Sequence, residues 1–134
     1  MKRSKFDSEY AHLNPAQREA VETIEGPVMV VAGPGTGKTQ VLTLRIANIL
    51  RKTQVPPDAI LALTFTDNAA REMKRRLVEI VGPAAYRINT YTFHGFANEV
   101  IGRFPSYFPR LVGAINIGEV ERAELLEEIF SKQA

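Results

Sequence analysis

Apolar positions along the chain fall into short continuous runs and longer stripes at helical spacing. The run Val28-Met29-Val30-Val31-Ala32 is unbroken and rich in β-branched residues, the pattern of a strand buried on both faces. Ile60-Leu61-Ala62-Leu63-Thr64 is a second such run, and Arg87-Ile88-Asn89-Thr90-Tyr91-Thr92 is a weaker third. Between them, Leu42, Ile46, Ile49 and Leu50 share one face of a helix ending near Lys52. Ala70, Met73, Leu77, Ile80 and Val81 make a similar stripe, closed by Gly82-Pro83, and Phe93, Phe96, Ala97, Val100, Ile101 and Phe104 make the cleanest one. Gly26-Pro27, Pro56-Pro57, Pro105, Pro109 and Gly113 supply the remaining breaks. The pattern predicts βαβαβα, an α/β fold with a parallel sheet covered by helices. Ligands of such sheets bind beyond the carboxyl ends of the strands.

Composition narrows the class. With 134 residues and 45% hydrophobic content, the chain has the apolar mass for one globular domain and no room for two full α/β domains. The absence of cysteine excludes a disulfide scaffold, an Fe–S cluster, a thiolate zinc site and a cysteine nucleophile. No apolar run reaches the roughly 18 residues of a membrane span, and Met1-Lys2-Arg3-Ser4-Lys5-Phe6 is not followed by a signal-peptide segment. The expectation is a cytoplasmic protein with no membrane partner. Residues 1–118 carry 15 basic and 10 acidic side chains, and residues 119–134 carry 2 and 5. The basic part suits a polyanion or an ordinary solvated surface, and charge alone does not choose.

The chemistry is concentrated after the first run, where Ala32-Gly33-Pro34-Gly35-Thr36-Gly37-Lys38-Thr39 leads directly into a helix. Three glycines let the backbone wrap an anion so that successive N–H groups and the helix N-terminus face phosphate oxygens. Lys38 would reach the β- and γ-phosphates and the Thr39 hydroxyl would ligate Mg²⁺. The strict phosphate-loop pattern has Gly where Ala32 stands, a position that accepts Ala when the strand arrives straight. A turn that merely joined strand to helix would need neither Lys38 nor Thr39, so ATP or ADP with Mg²⁺ is the expected ligand.

Upstream, Leu13-Asn14-Pro15-Ala16-Gln17-Arg18-Glu19-Ala20-Val21 starts a helix with Asn14 as N-cap and Pro15 at the first helical position. Gln17 then stands where its amide closes a capping box; the same amide has the donor and acceptor that suit an adenine edge. Gln17 lies 21 residues before Lys38. The two segments together resemble the Q motif and motif I of UvrD/Rep-type superfamily 1 DNA helicases.

Thr64-Phe65-Thr66 ends the second run, and by the predicted parallel order Phe65 opens on the same edge as the phosphate loop. Its ring is a plug over the next helix or a platform on which a base stacks. Arg71, Lys74 and Arg75 form a basic stripe on that helix, ordinarily a solvated face. The third run ends in Tyr91-Thr92-Phe93-His94-Gly95; on local grounds His94 is a helix-start histidine and Phe93 opens a core stripe. Leu61-Ala62-Leu63-Thr64-Phe65-Thr66-Asp67-Asn68-Ala69-Ala70-Arg71-Glu72-Met73 resembles motif Ia of the same family, and Thr90-Tyr91-Thr92-Phe93-His94-Gly95-Phe96 its Thr-Phe-His motif. The resemblance covers roughly residues 12–104. It implies a P-loop NTPase (RecA-like) motor domain that binds single-stranded DNA through Phe65 by stacking and through Thr64, Thr66, Thr92, Phe93 and His94, and that translocates 3′ to 5′. It also implies nucleotide contacts from Gln17, from Ala32, Gly33, Pro34, Gly35, Thr36, Gly37, Lys38 and Thr39, and from Gln40, with Lys38 and Thr39 serving catalysis. The family commonly has Asn-Lys at Asp67-Asn68, Ser at Gly95 and Arg at Gln40.

Hydrolysis needs carboxylates to hold the metal shell and orient water, normally an Asp-Glu pair ending a strand. No Asp-Glu dipeptide occurs in the chain, and Glu127-Glu128 belongs to an amphipathic acidic pattern from Glu119 to Phe130. The expectation is therefore an N-terminal piece of a longer helicase, whose remaining domains would be its partners. Residues 1–104 would belong to the ATP-binding domain and residues 105–134 would start an inserted helical subdomain. A small P-loop kinase and a non-catalytic nucleotide-gated module share the loop and remain open alternatives.

Overall fold

The computed structural model describes residues 4–111, 113–114 and 117–132. Contacts divide the chain into a unit ending at Phe96 and a second beginning at Ala97. The first unit begins with α1 (Lys5–Ala11), an element that the runs and stripes above do not announce. Ser4 caps it by accepting from the Asp7 N–H at 3.1 Å, and Phe6, Tyr10 and Leu13 recur at i, i+4 and i+7, the helical signal that marks it. Phe6 stacks on Tyr10 with ring centroids 5.6 Å apart, and the Arg51 guanidinium lies over the Phe6 ring, 4.1 Å from its centroid.

Next come α2 (Pro15–Glu22) and α3 (Lys38–Lys52), packed against each other. Phe6, Leu13, Val21, Val41 and Leu44 form one buried cluster between α1, α2 and α3. A second cluster, with Ile46, Ala62, Met73, Leu77 and Ile88, lies between α3, the sheet and α4 (Asp67–Val81). The sheet has two strands among the described residues, β1 (Leu61–Thr64) and β2 (Asn89–Thr92), paired in parallel with Leu61 opposite Asn89 and Thr64 opposite Thr92. α4 starts on its Thr66 cap, which accepts from the Ala69 N–H at 3.2 Å, and stops at Gly82, whose φ of 79° suits a residue without Cβ.

The second and third runs thus become the paired strands, while the first does not. Residues 28–32 carry no strand pairing, and Met29 and Val31 are each 88% exposed. A strand exists only where a neighbour accepts and donates its backbone hydrogen bonds, and among the described residues β1 and β2 pair only with each other. The expected three-stranded sheet is therefore a two-stranded one.

The stripe opening at Phe93 does form a helix, α5 (Phe93–Arg103), but none of its residues is buried. In the second unit, 3₁₀ turns at Pro105–Tyr107 and Pro109–Leu111 lead to α6 (Glu119–Ser131), the expected acidic helix, which likewise has no buried residue. No helix among the described residues is long and apolar enough to cross a membrane.

Candidate functional site

The loop between residues 32 and 38 is built by two left-handed glycines. Gly35 (φ 73°) turns the chain, and Gly37 (φ 80°) is the N-cap of α3; an L side chain is disfavoured at both. The Thr36 hydroxyl donates to the Gly33 carbonyl at 2.7 Å, closing the turn on itself. Lys38 reaches back over the loop, its Nζ donating to the carbonyls of Gly33 (2.6 Å) and Ala32 (3.2 Å). Lys38 and Thr39 are both exposed in the first turn of α3. An ammonium, a hydroxyl and the N–H groups of a helix start therefore share one exposed loop, a donor set suited to a polyphosphate. Among the described residues no group of three or more His, Cys, Asp or Glu forms a metal cluster. A hard cation here would depend on Thr39 and the ligand's own phosphate oxygens, the usual arrangement for Mg²⁺.

Gln17 is held on both sides of its amide. Its backbone N–H donates to Asn14 Oδ1 at 2.9 Å, and its Oε1 accepts from the Asn14 N–H at 3.0 Å, completing the capping box. Its Nε2 donates to the Thr36 carbonyl at 3.0 Å, so the cap also touches the phosphate loop. The far end of α2 is fixed as well. Arg45 donates to the Ala20 carbonyl at 2.7 Å and buried Asn48 to the Val21 carbonyl at 2.9 Å, supplying donors to carbonyls that a helix end leaves unpaired. Neither residue stands out from the apolar stripe of α3; a lone Asn between Ala47 and Ile49 is the trace they leave in the sequence.

At the carboxyl end of the sheet, Thr64 and Thr92 are register partners, so Phe65 and Phe93 leave the two strands side by side. Phe65 is 82% exposed and plugs nothing; Phe93 and His94 are exposed too. The threonines serve the backbone. Thr64 Oγ1 donates to the Thr66 carbonyl at 3.1 Å, Thr66 caps α4, and Thr92 Oγ1 accepts from the Gly95 N–H at 3.0 Å. A Cβ at Gly95 would stand 3.1 Å from that hydroxyl, so glycine leaves the Thr92 cap room. No pairing places the phosphate loop on this sheet edge, because residues 28–32 are outside the sheet.

The basic stripe on α4 is largely engaged. Lys74 donates to the carbonyls of Tyr86 (3.0 Å) and Ile88 (2.6 Å), and partial burial pushes its pKa down. Arg75 pairs with Glu72 at 2.8 Å and with Glu79, and Arg71 with the Asn68 side chain.

Comparison with known proteins bears on this arrangement. Residues 13–133 match the model of the UvrD/REP helicase N-terminal domain. The chain is 50% identical over 91 residues to the ATP-dependent DNA helicase PcrA of Bacillus subtilis (strain 168), covering 68% of this chain and 12% of that protein. It is 49% identical over 92 residues to the protein of the same name from Staphylococcus aureus (strain Mu50), covering 69% and 13%. The Staphylococcus epidermidis protein of that name is 48% identical over the same length. The chain spans about an eighth of the length of these relatives.

Proposed function

The chain belongs to the UvrD/REP helicase N-terminal domain family, and from that premise we propose that it is the first part of the ATP-binding motor domain of an ATP-dependent DNA helicase. In this reading the fold is that of a P-loop NTPase, with residues 1–104 in the motor domain and residues 105–134 beginning an inserted helical subdomain. The observation that carries it is the loop: left-handed Gly35 and Gly37, with Lys38 and Thr39 exposed at the start of α3.

Lys38 exchanges the carbonyls of Ala32 and Gly33 for the β- and γ-phosphates of ATP, and backbone N–H groups of residues 33–39 line the remaining oxygens. Gln40 follows in the first turn of α3. Thr39 would hold Mg²⁺ together with the phosphate oxygens, and the ion would supply positive charge against the phosphates. Gln17 keeps one N–H and one lone pair beyond those already bonded, enough for a bidentate contact with adenine. Phe65 stacks on a base of single-stranded DNA, with Phe93 and His94 beside it; Thr64, Thr66 and Thr92 hold the turns that present them. The longer protein couples ATP hydrolysis to 3′-to-5′ translocation. The 134-residue chain binds nucleotide without turnover, since it supplies Lys38 and Thr39 but no Asp-Glu pair.

Calorimetry with ADP tests the loop. Lys38→Ala removes a charge-assisted contact of about 1.5–3 kcal/mol, so affinity falls about tenfold or more; equal affinity in the variant would overturn the reading. Phosphate release tests the rest. DNA-stimulated turnover by the 134-residue chain, abolished by Lys38→Ala, would show that it holds a complete catalytic set.

A further inference from the structure

We propose that Gln17 is a positioning residue that locks the orientation of the Thr36–Gly37 peptide, and so keeps the phosphate loop open to anions whatever base the ligand carries. The inference rests on reading residues 32–39 as a phosphate loop, and it adds to Gln17 a role independent of adenine.

The Gln17 Nε2 bond to the Thr36 carbonyl, at 3.0 Å, is the one hydrogen bond that reaches residues 33–36 from outside the loop and α3 among the described residues. In a planar trans peptide the C=O and the following N–H point in opposite directions. Holding the Thr36 carbonyl toward Gln17 therefore turns the Gly37 N–H away from Gln17. If this peptide rotated by half a turn, its carbonyl would replace that N–H and present a partial negative charge to the phosphates. Glycine is the residue that permits such a rotation, because it accepts φ of either sign, and Gly37 sits at φ 80°. On the Gly37 side both orientations are open to a residue without Cβ, and the Gln17 bond favours the one seen.

The lever behind that bond is rigid. Oε1 of Gln17 is held by the Asn14 N–H, and the carbonyls at the other end of α2 are held by Arg45 and Asn48 of α3. α2 is thus fixed to α3 at one end and to the loop at the other, and Gln17 carries that position to the Thr36–Gly37 peptide.

The experiment uses tripolyphosphate, which has no base, on the 134-residue chain. Gln17→Ala removes both side-chain bonds. Gln17→Glu keeps an acceptor for the Asn14 N–H and loses the donor to Thr36. Asn14→Ala removes the helix cap but keeps both bonds made by the Gln17 side-chain amide. The expected result is a loss of tripolyphosphate affinity of about fivefold in both Gln17 variants, the factor one neutral hydrogen bond supplies. Asn14→Ala should keep wild-type affinity while lowering Tm. Unchanged tripolyphosphate affinity in both Gln17 variants, with altered preference between ATP and GTP, would overturn the lock and leave Gln17 a base reader. If the wild-type chain bound neither tripolyphosphate nor ADP, the phosphate-loop reading would fall, and NMR exchange broadening of the Thr36, Gly37 and Lys38 amides in the free chain would still decide the lock. Broadening in the Gln17 variants and not in Asn14→Ala supports it; identical spectra overturn it.

Discussion

Residues 28–32 and residues 60–64, the run that contains β1, are nearly interchangeable as sequence: five residues each, continuous, largely apolar, and followed by a turn into a 15-residue helix. In the structure they differ in kind. β1 pairs with β2 and is backed by α4, with Ala62 and Thr64 buried. Residues 28–32 have no strand partner among the described residues and leave Met29 and Val31 almost fully exposed. The difference teaches that a buried strand is a property of its neighbours. The local pattern specifies readiness to pair, and the hydrogen-bonding partner decides whether a strand forms. It also explains how the loop after residues 28–32 is held: from the side, through α2 and α3, by Gln17, Arg45 and Asn48 instead of by a sheet.

The largest expected effect tests this contrast directly. Leu77, fully buried behind β1, should cost about 2–5 kcal/mol as Leu77→Ala, the transfer and cavity loss of a core leucine. Met29→Ser, on the unpaired segment, should stay within about 0.5 kcal/mol, as surface changes do. Chemical denaturation of the 134-residue chain measures both. A cost for Met29→Ser comparable to that of Leu77→Ala, growing with protein concentration, would mean that a second copy covers residues 28–32 in solution. In a longer protein that supplies a pairing strand, the same Met29→Ser should become costly.

The next effect probes the substitute for the missing sheet. Asn48→Ala leaves the Val21 carbonyl without its donor in a buried setting, and one such loss costs about 1–3 kcal/mol. Urea melts should show it. No change would indicate that water replaces the amide and that α2 is held by packing alone.

Local signals account for much of what is seen, and the exceptions are non-local. The Asn14–Pro15 helix start, the helices ending at Lys52 and Val81, and the strands around residues 61–64 and 89–92 are written in caps, breakers and periodicity within a few residues of each element. The two glycines that shape the loop are legible for the same reason, because positive φ is a local demand. α1 has a local signal too, in Ser4, Phe6, Tyr10 and Leu13, but it is only two turns long. What one-dimensional pattern does not carry is pairing. It shows neither that residues 28–32 lack a partner nor that the Gln17 amide lies on the Thr36 carbonyl, 19 residues away. The engagement of Lys74 by two backbone carbonyls is hidden in the same way; spacing on a helix shows which face a lysine shares, not what lies across from it.

Within the loop, conformation separates two glycines of similar appearance. Gly37→Ala places a Cβ at φ 80°, a penalty of about 1–2 kcal/mol for an L residue in the left-handed region. Gly33 has no such φ, and a Cβ there meets only Thr36 Cγ2 at 3.8 Å, ordinary contact. Gly33→Ala should therefore be nearly neutral. Comparing the two melting curves sharpens the contrast between a segment without sheet support and a loop with a defined shape. Equal costs would mean that the loop relaxes freely about residue 37.

The smallest effect concerns the solvent face of α4, the helix that backs β1. Glu72 is held by Arg75 and Arg76, each at 2.8 Å, and these hydrogen bonds lower its pKa from 4.5 to about 2. A carboxyl with a depressed folded-state pKa releases its proton more readily in the native chain than in the unfolded one. Between pH 4.5 and 2 the unfolded chain therefore binds more protons, and stability rises with pH across that interval. The contribution is complete above pH 4.5 and is lost as pH falls through about 2. Because the three side chains are open to solvent over about half their surface, salt screens the pairing and the effect stays small. Denaturation midpoints followed from pH 6 to 2 should fall more steeply for the wild-type chain than for Glu72→Gln, and the gap should narrow in 1 M salt. Parallel curves at low salt would mean that the Glu72 network orders the surface of α4 without stabilising the paired strands beneath it.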